Sequence, residues 1–228
     1  ARQLQIDRKV GSLEPGKDAD FVIWSGHPFS VYSVADQTWV EGTKQFDRAE
    51  DLSGRAGVES RRAALIEKVK LGDKPAKKDE AAPASPVPAA TTAAPAAPAS
   101  AAGASASAPA TTIAITGATI HTVSGPDIER GTVVIKDGVI VSVSRDAQTP
   151  RDATLVKGDG LHLYPGMIDP STVVGLTEIG SVAGSVDTSE AGKINPNVHV
   201  EVAVNPESDL IPVTRANGIT HVLTAPRG

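Results

Sequence analysis

Residues 131–144, "GTVVIKDGVIVSVS", spell a β-hairpin in residue types alone. Asp137-Gly138 tolerates the positive φ angles of a type I′ turn, and β-branched side chains flank the pair on both sides. Upstream, residues 112–123, "TIAITGATIHTV", alternate and then break at Ser124-Gly125-Pro126, which reads as a strand. Downstream, residues 161–168 read as another. Residues 208–217 form a short helix, with Ser208 as N-cap, Leu210, Ile211, Val213 and Thr214 inward, and Gly218 as the stop. Residues 219–224 then read as a buried strand. Strand, helix, strand is the opening of a parallel α/β unit, and one such unit cannot close a barrel.

The N-terminal part carries its own β signals. Residues 1–6, "ARQLQI", look like the last turns of a helix. Glu14-Pro15-Gly16-Lys17 is a turn, with proline presetting φ and glycine free to take φ > 0. Asp20 leads into Phe21-Val22-Ile23-Trp24, a buried strand. In "TWVEGTKQF", Glu41-Gly42 turns a hairpin between Trp39-Val40 and Lys44–Phe46. From about Ser60 to Leu71, the apolar residues Leu65, Ile66 and Val69 make a narrow helical stripe ending at Gly72.

Between these parts, residues 73–112 hold almost no large apolar side chain and many Pro, Ala and Ser. Such a segment cannot bury enough surface to offset the entropy of ordering, so a disordered linker is expected. The net charge of −5 argues against a nucleic-acid groove. No run is long and apolar enough to cross a bilayer. The absence of cysteine excludes disulfides and thiol chemistry. The chain of 228 residues contains one methionine, Met167, and opens on alanine, as expected of a fragment or processed product.

Residues 11–48, "GSLEPGKDADFVIWSGHPFSVYSVADQTWVEGTKQFDR", resemble the C-terminal tail of an amidohydrolase-superfamily protein, in the manner of imidazolonepropionase-like and dihydroorotase-like enzymes. The E-P-G-K-D-A-D turn, the hydrophobic strand and the V-x-G hairpin carry the likeness. Residues 112–144, followed by "GLHLYPGMID", resemble the N-terminal head of the same superfamily. The resemblance implies a junction of two tandem units, tail before head. The expected fold is mixed α/β: composite β-sandwich strands plus the first βα units of an incomplete (β/α)₈ TIM barrel, joined by a disordered linker. The expected domains are a tail with its terminal helix (1–72), the linker (73–112), a head (113–160) and a truncated barrel start (161–228).

The same resemblance implies metal-dependent hydrolysis of non-peptide carbon–nitrogen bonds by the intact enzyme, with a divalent ion, Zn²⁺ by preference, and a small-molecule substrate. The family's first barrel strand gives x-His-x-His after P-G-[LM]-I-D. In this chain Pro170 and Thr172 take the spacer positions, and Ser171 and Val173 take the histidine positions. Valine cannot ligate, and a neutral serine hydroxyl is a poor zinc ligand. No catalytic, cofactor-binding or metal-ligating residue is therefore assigned, and the chain by itself is expected to be inactive. The competing reading is a degenerate, non-catalytic unit that scaffolds or binds a partner.

The histidines His27, His121, His162, His199 and His221 show no H-x-H or H-E-x-x-H spacing. His27 reads as a loop residue, His121 and His162 as structural residues on head strands, and His199 as the polar face of a strand. His221 reads as a core histidine inside a barrel-type strand. Asp169 and Glu178 as a carboxylate pair lack any surrounding motif. The expected partner is the remainder of the parent polypeptide. The Ala/Pro/Ser linker and the missing cysteines are compatible with export in a bacterium.

Overall fold

A computed structural model describes residues 1–72, 112–189, 195 and 198–226. The expected linker, 73–112, lies outside the described residues except for Thr112, which already opens a strand.

A compact unit comprises residues 1–53 and 109–228. A 3-10 turn at Arg2–Leu4 leads to β1 (Phe21–Trp24), β2 (Ala35–Val40) and β3 (Thr43–Asp47). After the linker come β4 (Thr112–Ile120), β5 (Ile128–Lys136), β6 (Val139–Ser144), β7 (Thr154–Lys157) and β8 (His162–Pro165). These eight strands make one mixed sheet, ordered β3-β2-β1-β8-β4-β5-β6, with β7 also pairing with β4. The turns are those the residue types call for. Glu41-Gly42 and Asp137-Gly138 all have positive φ, which suits the right-handed twist of two-residue hairpins.

The strands of the two segments, expected as composite β-sandwich strands, belong to one sheet. β1 pairs antiparallel with β8, placing Val22 opposite Tyr164. The far strand also bonds back to the start of the chain. Gly16 N–H donates to Ile140 C=O at 2.8 Å, and Ala19 N–H donates to Gly138 C=O at 2.7 Å. The sheet thus curls around a core to which Phe21, Ile23 and Trp39 contribute from one segment, and Ile115, Ile135 and Leu163 from the other. Phe21 stacks on Trp39 with ring centroids 5.5 Å apart.

A second, two-stranded sheet pairs β9 (Met167–Thr172) in parallel with β10 (Ile219–Thr224). Two helices precede β10: α2 (Val200–Ala203) and α3 (Leu210–Ala216). The strand expected over 161–168 is in fact two strands in two sheets. Gly166 separates them because β10 approaches too closely for a side chain there: a Cβ would collide with Thr220. Residue-type patterning sees one apolar run, and only the packing cuts it.

Other expectations change in the same way. Residues 198–202 alternate like a strand, yet Val200–Ala203 is a short helix with His199 at its N-cap. Val213 is exposed rather than inward, and β10 is half-buried rather than buried. Ser208 does accept Leu210 N–H at 3.2 Å, although Asp209 occupies the N-cap position.

The helix expected from about Ser60 begins earlier, as α1 (Arg48–Gly72). Asp47 Oδ1 accepts the N–H groups of Ala49 and Glu50 at 3.0 and 3.2 Å, the N-cap arrangement that starts a helix. Leu65, Ile66 and Val69 on this helix are all exposed. The part of α1 from residue 54 onward belongs to a second unit.

Candidate functional site

The end of β9 is where the resemblance places metal ligands. Three side-chain oxygens there hold the backbone. Asp169 Oδ1 accepts Ser171 N–H at 3.1 Å, closing a local turn. Thr172 Oγ1 accepts Val174 N–H at 3.3 Å, and Thr224 Oγ1 donates to Val174 C=O at 2.9 Å. Ala225 N–H donates to Thr172 C=O at 3.1 Å. Ser171 is exposed and Val173 half-buried. Among the described residues, no three His, Asp or Glu side chains converge on one point. The donor set at this strand end, one carboxylate tied into its own turn and three hydroxyls, does not fit a divalent ion of the hydrolytic kind.

Asp169 and Glu178 are not brought together as a pair. Asp169 serves its own turn, and Glu178 Oε1 accepts Asn205 Nδ2–H at 3.2 Å. His199 is exposed and faces Glu201 at 3.0 Å. The Glu201 carboxyl is held below its usual range, first by its own backbone N–H and then by His199.

His221 lies opposite Ile168 in the parallel register, upstream of the strand end. Its Nδ1 is 3.0 Å from Thr220 Oγ1, and its Nε2 is 3.6 Å from Asp20 Oδ2. Asp20 is almost wholly buried. Its Oδ1 accepts Glu41 N–H at 2.8 Å, while Oδ2 has no hydrogen-bond partner. Burial pushes the Asp20 carboxyl above its usual value, against the opposing pull of Glu41 N–H and His221. Asp20 C=O also accepts Gly166 N–H at 2.9 Å. The pair and this backbone bond therefore bring the start of β9 and β10 against the large sheet.

One constellation escaped the sequence reading altogether. His121 follows β4 and His162 opens β8. Parallel pairing of Thr119 with His162, and His121 N–H donating to Leu163 C=O at 2.9 Å, set the two rings side by side. His121 Nε2 lies 3.0 Å from His162 Nδ1, and His121 Nδ1 lies 2.8 Å from Asp127 Oδ2. The two imidazole centroids are 5.3 Å apart at 18°. With nitrogens at 3.0 Å, that separation means the rings meet edge to edge rather than face to face. Tyr164 does stack on His121, at 4.1 Å and 10°, and His27 meets Tyr164 edge-on at 5.9 Å. Burial raises the Tyr164 phenol, and the Asp127 charge adds to it. The two histidines stand 41 positions apart, so no local motif announces them. Only recognising that 119–121 and 162–163 are neighbouring strands would have done so.

A shallow cavity of about 230 Å³ opens between α3, β10 and the β2–β3 hairpin, with Val40, Val174, Ile211 and Val222 among its lining residues. Arg215 Nη1 at its rim donates to Gln45 Oε1 at 3.1 Å. No helix among the described residues is long and apolar enough to cross a membrane.

Residues 1–54 match the amidohydrolase family. The amidohydrolase TasK of Hapsidospora irregularis is 38% identical over 47 residues, which are 21% of this chain and 5% of that protein. Among solved structures, an amidohydrolase from Thermotoga maritima is 27% identical, covering 51% of this chain and 30% of that one, with a TM-score of 0.48. A prolidase complexed with N-methylphosphonate-L-proline is 25% identical, over 30% of this chain and 17% of that one, with a TM-score of 0.27. The chain thus spans a small part of the length of each protein it resembles.

Proposed function

We propose, from the premise that residues 1–54 belong to the amidohydrolase superfamily, that this chain is a structural junction within a larger metal-dependent hydrolase. The parent would hydrolyse non-peptide carbon–nitrogen bonds. The chain's own part is to join the tail of one unit to the head of the next and to present the first βα unit of a barrel. Its β9 end contributes no metal ligand and no general base.

The observation that carries this reading is the end of β9. Asp169, Thr172 and Thr224 there are bonded to backbone groups, beside Ser171 and Val173. A divalent ion would supply electrophilic polarisation and an activated water in such an enzyme. The residues of β9 and β10 hold the backbone instead. The apolar face over Val174, Ile211 and Val222 is where the rest of the polypeptide would pack. The non-catalytic reading of the downstream half draws on the same strand end.

The test is hydrolysis of cyclic amides and N-acyl amino acids by the purified chain with Zn²⁺ supplied. We expect no turnover above the metal alone, and Ser171→His with Val173→His to confer none. Metal-stimulated hydrolysis that disappears in Asp169→Asn or Ser171→Ala would overturn the proposal.

A further inference from the structure

We infer that His121 and His162 form a binding site for a late first-row transition-metal ion, Cu²⁺ foremost, separate from the end of β9. The inference does not depend on the hydrolase reading. His162 stands nine positions before Ser171, and β8, Gly166 and part of β9 lie between them.

The argument begins with the backbone. Ladder bonds on either side of the pair set where the two Cα atoms sit. The rings are then oriented by their neighbours. Asp127 Oδ2 accepts a hydrogen bond from His121 Nδ1–H at 2.8 Å, which leaves the lone pair on Nε2, facing His162. A carboxylate on the far nitrogen of an imidazole is the usual outer partner of a metal-bound histidine, since it selects the tautomer and strengthens the donor. Tyr164, stacked at 4.1 Å, covers one face of the His121 ring.

The spacing suits a chelating pair. Nitrogens bound at about 2.0–2.1 Å lie roughly 2.9 Å apart in adjacent square positions and roughly 3.4 Å apart in a tetrahedron. The observed 3.0 Å falls between the two, nearer the square arrangement. Two adjustments are needed. His162 moves its proton from Nδ1 to Nε2, so that both facing nitrogens offer lone pairs with no net change in protons. Each lone pair also turns by about 40° from the line joining the nitrogens, if bonds of that length are to meet at one ion. His162 is half-exposed at the first residue of its strand, so its ring has room to turn, and the Asp127 side chain, 58% exposed, can follow His121 as that ring turns. Water completes the coordination.

The ligand chemistry selects the ion. There is no thiolate in the chain, and no carboxylate cage of the kind that Ca²⁺ or Mg²⁺ requires is present among the described residues. Two imidazoles favour Cu²⁺ over Ni²⁺ and Zn²⁺ by the ordinary order of affinities.

The experiment is titration of the full chain with copper(II) sulfate near neutral pH, followed by calorimetry and electron paramagnetic resonance. We expect one equivalent bound with hyperfine structure from two nitrogens. His121→Gln and His162→Gln should each weaken that site by roughly 100-fold or more, and Asp127→Asn by about tenfold, the low end for a lost outer partner. His199→Gln, at an exposed histidine beside a carboxylate, should leave it unchanged. A wild-type signal with fewer than two nitrogens, or an affinity that neither His121→Gln nor His162→Gln moves, overturns the inference. The nitrogen count is read on wild-type protein, so it decides the matter even if a variant fails to fold.

Discussion

Cutting the chain within its Ala/Pro-rich segment should leave one folded body, and Phe21→Ala should pull that body apart. Phe21 is fully buried, stacks on Trp39, and lies opposite Pro165 of β8 in the register that joins the two halves of the sheet. Truncating such a phenylalanine costs about 3–5 kcal/mol, from lost transfer energy and the cavity left behind. Even the lower figure corresponds to about a 150-fold weaker association if the two pieces fold only together. The assay uses a protease site engineered after Ala94. The cut fragments should co-elute as a 1:1 complex, and Trp fluorescence during titration of one fragment with the other should report the dissociation constant. Phe29→Ser, at a side chain 84% exposed, is the control and should change nothing. Fragments that separate while keeping their own folded spectra would refute the shared core. So would a Phe21→Ala dissociation constant within threefold of the unaltered pair.

Gly218→Ala should destabilise by roughly 1–3 kcal/mol, because φ there is +75° and a new Cβ would lie 2.6 Å from Trp24 Cζ2; urea midpoints read it directly. Asp20→Asn should gain on the wild type as pH rises. The folded Asp20 carboxyl titrates above its ordinary value of 3.8, so its contribution is intact below the unfolded pKa and lost as pH climbs through the folded one. Midpoints that diverge in the opposite sense between pH 4 and 7 would contradict the burial argument. Glu14 is held down at about 2, chiefly by the Lys17 hydrogen bond and then by that of Ser12. The deficit of Glu14→Gln should therefore be full above pH 4.5 and fade as pH falls toward 2, which acid titration of both proteins checks.

Turn chemistry was the most legible part of the sequence. Glu41-Gly42, Asp137-Gly138 and Gly16 take the positive φ angles that their residue types permit, because a turn is decided within four residues. The strand at Phe21–Trp24 and the end of α3 at Gly218 were legible for the same local reason. The start of α1 was missed because its signal is one side chain, Asp47, at the end of a strand. The break at Gly166 was missed because its cause, Thr220, lies more than fifty residues away. At the end of β9, the residue types Ser171 and Val173 are plain in the sequence, but the backbone groups that Asp169, Thr172 and Thr224 hold are not. The row of Asp127, His121 and His162 beside β8 could not be read from any stretch of chain.

The sequence by itself determined where the Phe21–Trp24 strand runs and where the hairpins at Glu41-Gly42 and Asp137-Gly138 turn. Each of those follows from steric and hydrogen-bonding preferences within a few residues. Tertiary structure alone decided that β1 pairs with β8, that Asp20 is buried against His221, and that His121, His162 and Asp127 form one hydrogen-bonded row. These contacts join residues 41 to 201 positions apart or depend on which strands are neighbours. Pairing partners are chosen by the whole buried surface at once, because an apolar strand face is satisfied by any apolar face until a single core assigns it.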